Sequence, residues 1–403
     1  MHCIRKKIVP EGPSLRHFEQ KQGGLYARPH MIKVDRRPFA RYILIALVLC
    51  LLALSGCGTE KSPASGQRAE DAVRPSSQGQ AASGQDNALR EASISFFAMD
   101  TFMEIRAFGA DDALLASVED AVEDLEKRIS VTVPDSEISV LNDEGRAALS
   151  EVPARMLKRG LELCEITSGR LDLSIYPVVR AWGFTTGEHR IPQQSEISAL
   201  LEKVDYTKIS LSGSEASVEE GMEIDLGSVG KGFAADLISW MLTEGGVKSA
   251  LINLGGNVQT IGAKPDGSLW KIAVQDPRSA GIIGVVETEG QAVVTSGGYE
   301  RYFEGEDGTV YWHIMDPETG APARSGLISA TAIGSEGMYC DALSTALFVM
   351  GEEEALSFWK ERGDFEMILV TDDGRMLASA GLRGRFSAQP GSGYEPQFIG
   401  DGK

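Results

Sequence analysis

Hydrophobic residues change their spacing several times along this chain, and those changes divide it. Ile43–Leu54 is an unbroken apolar run, and from Gly58 to Glu91 large apolar residues almost vanish among Ser, Gly, Ala and Gln. Patterned sequence begins near Ala92. Ser93–Phe108 alternates as a strand or hairpin interrupted at Met99-Asp100-Thr101. Leu114, Val118, Val122, Leu125 and Ile129 recur at helical spacing, which predicts a helix over Ala110–Ile129 opened by Asp111-Asp112 at the positive end of its dipole. Ser130–Asn142 reads as a loop entering a short helix, Pro153–Ser168 as a helix stopped by Gly169, and Ser195–Lys203 as a third. Lys208–Asp225 predicts strands around turns at Gly213 and Gly221. Gly232–Thr243 follows as a helix, and Ala250–Leu254 as a strand closed by Gly255-Gly256-Asn257. The pattern is then β at Trp270–Gln275, Ile282–Thr288, Ala292–Ser296 and Tyr299–Phe303. A strand near Tyr311 runs into turn chemistry at Asp316-Pro317 and Thr319-Gly320. Cys340–Met350 and Glu353–Arg362 read as helices, and Phe365–Thr371 with Arg375–Ser379 as a hairpin around Asp372-Asp373-Gly374. Strands and helices do not alternate regularly, so the fold class is α+β rather than a doubly wound parallel sheet.

The apolar run is too short to cross a bilayer comfortably, since a spanning helix needs about 20 residues. With Arg36, Arg37 and Arg41 before it and small residues after it, residues 1–56 read as a secretory signal, and a start at Met31 would give that signal ordinary length. Leu54-Ser55-Gly56-Cys57 resembles a bacterial lipobox, which implies cleavage before Cys57 and lipidation of its thiol; the alternative is an ordinary signal with a chance cysteine. The expected product is lipid-anchored on the extracytoplasmic side of a bacterial membrane. Residues 58–91 read as a flexible tether, 92–390 as the folded domain and 391–403 as a flexible tail.

Charge sharpens this picture. Without residues 1–56 the chain holds 29 basic and 55 acidic residues, a net charge of −26. That balance argues against nucleic acid and against flat docking on anionic lipid, and leaves an acyl chain as the membrane attachment. Cys164 and Cys340 are then the cysteines besides Cys57, both in apolar contexts, so a disulfide framework is not expected. Of the five histidines only His189 and His313 lie beyond residue 56, and His189 sits in a polar loop.

Four stretches could carry chemistry. In Glu223–Asp236 a strand, a glycine-rich turn and a helix follow one another, with Asp225, Ser228 and Lys231 inside. Such a turn offers backbone N–H groups to an anion, yet it has neither the spacing of a P-loop nor that of a dinucleotide fingerprint, so a plain tight connection is equally open. Asn253-Leu-Gly-Gly-Asn257 is either a turn or a close backbone approach to a ligand. Thr295–Arg301 places a small-residue turn before an arginine that could hold an anion or pair on the surface. Asp341 and Thr345 lie four apart on an apolar helix. A buried carboxylate needs a partner or a cation, and a carboxylate with a hydroxyl suits Mg²⁺, unless Asp341 simply caps the helix.

Taken in order, these segments resemble the ApbE family of FAD:protein FMN transferases. The matching stretches are Met99–Thr101, Ser136–Asn142, Leu171–Pro177, Trp182–Phe184, Ile224–Asp236, Asn253–Asn257, Thr295–Arg301, His313–Gly320 and Asp341–Thr345. The resemblance spans roughly 92 to 382 and implies an FAD cleft between two sub-regions. It implies Mg²⁺-dependent transfer of FMN from FAD to a Thr hydroxyl of an exported acceptor protein, forming a phosphoester and releasing AMP. Asp341, Thr345 and the main-chain carbonyl of Ser228 are the implied metal ligands, and His313 the implied base. Met99, Leu171 and Asp172 on a strand, Asp225 and Lys231 match FAD-contacting positions, joined by Asn253, Gly255, Gly256 and Met315 within the matching motifs. Thr132 stands where the family pattern has an aromatic expected to stack on the flavin, and Asp100 where Gly is commoner. An FAD pyrophosphatase or a non-enzymatic flavin-binding lipoprotein are the competing readings.

Overall fold

A computed structural model describes residues 90–400. The signal segment, Cys57 and the tether up to residue 89 lie outside those residues. The organising element is a nine-stranded sheet whose strands stand side by side in chain order. These are Glu91–Ala98, Thr101–Phe108, Ser249–Leu254, Asn257–Ile261, Ala292–Gly297, Leu327–Gly334, Glu366–Thr371, Met376–Ser379 and Pro396–Ile399. Neighbours are antiparallel except the last pair. The final strand corrects the expected tail: residues 396–399 pair with Met376–Ser379 and complete the sheet edge.

One face of the sheet buries Met103, Ile105, Ile252, Leu254, Ala330 and Leu369 against helices Asp112–Ile129, Gly227–Glu244 and Gly337–Arg362. The other face contributes Val293, Ile333, Ile368 and Val370 to a second core under the three-stranded sheet of Trp270–Gln275, Ile282–Thr288 and Phe386–Ala388. A third cluster, Val178, Trp182, Phe184, Ile197 and Met315, ties the Tyr176–Ala181 and Gln194–Leu201 helices to the turn after His313. Among the described residues no helix is long and apolar enough to cross a membrane.

Three local departures from the sequence reading matter for the site. The helix expected from Gly232 begins at Gly227, and no strand precedes it at 223–225. The Asp225 carboxylate accepts the Gly227 N–H at 2.9 Å, which supplies the cap that Leu226 cannot. Leu171-Asp172 is not a strand either, because Asp172 instead caps the short 3-10 turn Leu173–Ile175. The helix carrying Asp341 begins at Gly337, so Asp341 is one turn inside it and does not cap it. Asp236 does the capping, accepting the N–H groups of Gly337 and Met338 at 2.7 and 2.8 Å.

Candidate active site

The Lys231 helix and the Asp341 helix cross at two glycines. A Cβ on Gly232 would lie 2.7 Å from Asp341 Cβ and collide with the Gly337 carbonyl. Contact this close lets Asp341, 5% exposed, accept the Gly232 N–H on Oδ2 at 2.8 Å. In a regular helix that N–H belongs to the carbonyl four residues back, which is Ser228. Asp341 therefore competes with the Ser228 oxygen for that donor. Burial raises the Asp341 pKa, opposed chiefly by the positive charge of Lys231. Thr345 stands one turn further along, with its hydroxyl 3.2 Å from Ser296 Oγ.

Asp341, Thr345, Ser228 and Lys231 open into a cavity of about 220 Å³ that also takes in Leu171, Asp172, Asp225, His313 and Met315. Gly227, Ser228 and Lys231 present the positive end of their helix to this space. Asp172 lines the wall with its oxygens already engaged: Oδ1 accepts the N–H and hydroxyl of Ser174 at 2.8 and 2.6 Å, and Oδ2 the Tyr206 N–H at 3.1 Å. Burial raises both Asp172 and Asp225, the latter opposed by its bond from Gly227 and by the Arg301 charge.

His313 follows the strand Val310–Trp312. Its Nδ1 lies 3.2 Å from the Arg301 carbonyl, which can only accept, so Nδ1 carries the hydrogen and Nε2 is left with a lone pair. Burial, reinforced by the Arg301 and Lys231 charges, brings its pKa down to about 4. The ring is thus neutral across the physiological range.

A second cavity of about 870 Å³ adjoins the first and shares Lys231, Thr295, Glu300 and Arg301 with it. Met99, Asn253, Gly255 and Gly256 line this larger space. Asn253 Oδ1 accepts the Gly256 N–H at 2.9 Å and fixes that turn. Gly255 has φ 64°, and a Cβ there would strike Thr101, so the turn can nest against the Met99-Asp100 turn only as glycine. The candidate residues therefore divide between two adjoining spaces with Lys231 at the junction.

Glu300 escaped the sequence reading. Its carboxylate faces Lys231 and Asp341 at the junction, and its position beside Arg301 at the end of a small-residue turn was the available signal. Thr132 is exposed, shares a 2.9 Å hydrogen bond with Ser130 and lines neither cavity.

The donor set fits a magnesium ion. Asp341 would contribute one buried carboxylate, Thr345 a hydroxyl and Ser228 a carbonyl, all hard oxygens. Among the described residues no three His, Cys, Asp or Glu side chains cluster as a self-contained metal cage. An ion held by one carboxylate needs oxygens from elsewhere, as it does when it shares a phosphorylated substrate.

Residues 99–369 match the model of the ApbE family. An FAD:protein FMN transferase of Klebsiella pneumoniae is 32% identical over 299 residues, covering 72% of this chain and 92% of the relative. Another with that name, from Treponema pallidum, is 30% identical over 322 residues, covering 73% and 88%. The crystal structure of the ApbE protein of Thermotoga maritima superposes with a TM-score of 0.69 at 28% identity, covering 73% of this chain and 99% of that one. Apo flavinyl transferase ApbE of Pseudomonas stutzeri gives 0.68 at 28% identity, covering 74% and 98%. With the family match spanning most of the folded region and the fold shared with solved ApbE structures, this chain belongs to the ApbE family.

Proposed function

We propose that this chain is an Mg²⁺-dependent FAD:protein FMN transferase that esterifies a Thr hydroxyl of an exported acceptor protein. The carrying observation is the convergence of Ser228, Lys231, His313, Asp341 and Thr345, from three separate segments, on one cavity that opens into a second. FAD is long enough to need both spaces, with its pyrophosphate near the junction at Lys231. Asp341, Thr345 and the Ser228 carbonyl would hold Mg²⁺, which when bound neutralises charge developing on the pyrophosphate.

Each residue then has a defined task. Lys231 and the helix N-terminus position the phosphate oxygens. His313 Nε2 accepts the proton of the incoming Thr hydroxyl, since its ring is neutral and its Nδ1–H is anchored on Arg301. A new bond forms between the Thr oxygen and the FMN phosphorus. The bond from that phosphorus to the bridging oxygen breaks, and AMP departs with the bridging oxygen. Cys57 would carry the lipid that holds the enzyme near exported acceptors.

Mass spectrometry of an acceptor domain after incubation with FAD and Mg²⁺ tests the reading: an FMN-sized addition on a Thr is expected. FMN released at the same rate without acceptor would establish a pyrophosphatase instead. FAD bound equally by the wild type and Asp341→Ala, with turnover in neither, would leave a flavin carrier. Labelled fatty acid should enter the wild-type protein and not Cys57→Ser.

A further inference from the structure

Among the described residues, three of the five exposed large apolar side chains, Phe97, Phe102 and Tyr302, belong to segments that line the larger cavity. Met99, Asp100 and Thr101, at the turn of the first hairpin, line that cavity. Phe97 and Phe102 flank the turn, lie directly opposite one another across the two strands, and are 68% and 62% exposed. On the other rim Glu300 and Arg301 line the cavity, and the next residue, Tyr302, is 55% exposed.

The phenylalanines share a sheet face with the cavity floor. Side chains alternate along a strand, so Phe102 and Glu104 point the same way. Glu104 is paired with Asn253, which lines the cavity. The floor therefore continues across the neighbouring strand onto the phenylalanine pair. A small-molecule substrate inside the cavity leaves this outer strip uncovered, while transfer to a protein brings a second surface to the mouth.

We propose that Phe97, Phe102 and Tyr302 form a collar that docks the acceptor protein around its target hydroxyl. The proposal rests on the reading of this chain as a transferase to proteins. Asp100 at the hairpin tip and Glu104 beside Phe102 border the collar with negative charge. The matching surface is thus an apolar strip edged by Lys or Arg, next to the residue to be modified. The same carboxylates oppose insertion of the pair into an anionic bilayer, and a bilayer there would stopper the cavity.

The test uses a purified exported FMN-binding domain in flavin-free form, with the double variant Phe97→Ser/Phe102→Ser, Tyr302→Ser, and Trp240→Ser as a control on an exposed aromatic elsewhere. Direct binding should weaken about tenfold or more in the double variant, because truncated aromatics at the centre of an interface carry most of its affinity. The acceptor KM should rise in parallel, with FAD affinity and kcat at saturating acceptor within about twofold, since neither phenylalanine lines the cavity. An unchanged acceptor Kd in the double variant overturns the collar, as does an equal loss in Trp240→Ser. Loss of sedimentation with phosphatidylglycerol vesicles at unchanged acceptor Kd also overturns it and gives the pair to a membrane. Binding is read without turnover, so a wild-type protein that binds the domain and leaves it unmodified counts against FMN transfer, while the collar is still judged by the variants' Kd.

Discussion

Asp341 bears two burdens at once. It is buried with its pKa raised, and it competes with the Ser228 carbonyl for the Gly232 N–H. Asp341→Asn keeps an acceptor for Gly232 and removes the charge. That variant should stay folded, with kcat down by roughly 10²–10³ or more, the scale on which one lost stabilising group acts on a developing charge. Circular dichroism with an Mg²⁺ titration of turnover checks both halves. His313 leads to a pH prediction. Its folded pKa lies below that of a free imidazole, so the neutral form is favoured by folding. Any stability it contributes is present above the unfolded pKa and declines as pH falls towards about 4. Base catalysis in the free enzyme should keep an acid limb near that folded value rather than near 6.5. An acid limb in kcat/KM at 6.5, unchanged in His313→Gln, would remove His313 from the role. Asp100 has φ 59° in a hairpin turn where both central residues are left-handed, a conformation that costs ordinary residues about 1–2 kcal/mol. Asp100→Gly should therefore raise stability by about 0.5–1 kcal/mol, read as a higher Tm.

Elements differed in how legible they were, and the reason in each case is packing. The first hairpin could be read because one face is solvated, so its residues alternate. The break between the two C-terminal helices could be read because Gly351, with φ 76°, turns the chain there. The strand Leu327–Gly334 could not: it lies inside the sheet with nearly every residue buried, and a strand covered on both faces has no period. The Lys231 helix was placed too late because three glycines in its first two turns argue against helix at about 1 kcal/mol each. Their justification is tertiary. Gly232 meets Gly337 and Asp341 where the two site helices cross, and no local signal in the sequence announces a helix crossing. The individual site residues were legible as motifs, but their division between two cavities was not, because that depends on which turns nest. Gly232→Ala should accordingly cost about 1–3 kcal/mol by overpacking, far beyond what an alanine recovers in helix propensity. Urea unfolding should show a lower midpoint, and Mg²⁺ affinity should fall with it as the Asp341–Gly232 bond is pushed apart. A variant with native stability and weak metal binding would mean that the crossing tunes the site alone.

The molecule as a whole sets two fields against each other. Overall it is strongly acidic, and without residues 1–56 the net charge reaches −26. The site opposes this locally with Lys231, Arg301 and a helix N-terminus around the cavity junction. An anionic dinucleotide is therefore captured by short-range groups, whereas a protein partner approaches through the long-range field. A partner edged with Lys or Arg is steered by that field, and steering acts on the association rate. Raising ionic strength from about 0.05 to 0.5 M shortens the screening length from roughly 14 to 4 Å. The acceptor association rate should then fall by about tenfold or more, while its dissociation rate, governed by the apolar collar, changes little. Stopped-flow binding at several salt concentrations separates the two rates. An association rate that rises with salt would mean that the partner is acidic, and the carboxylates bordering Phe97 and Phe102 would then work against docking rather than for it.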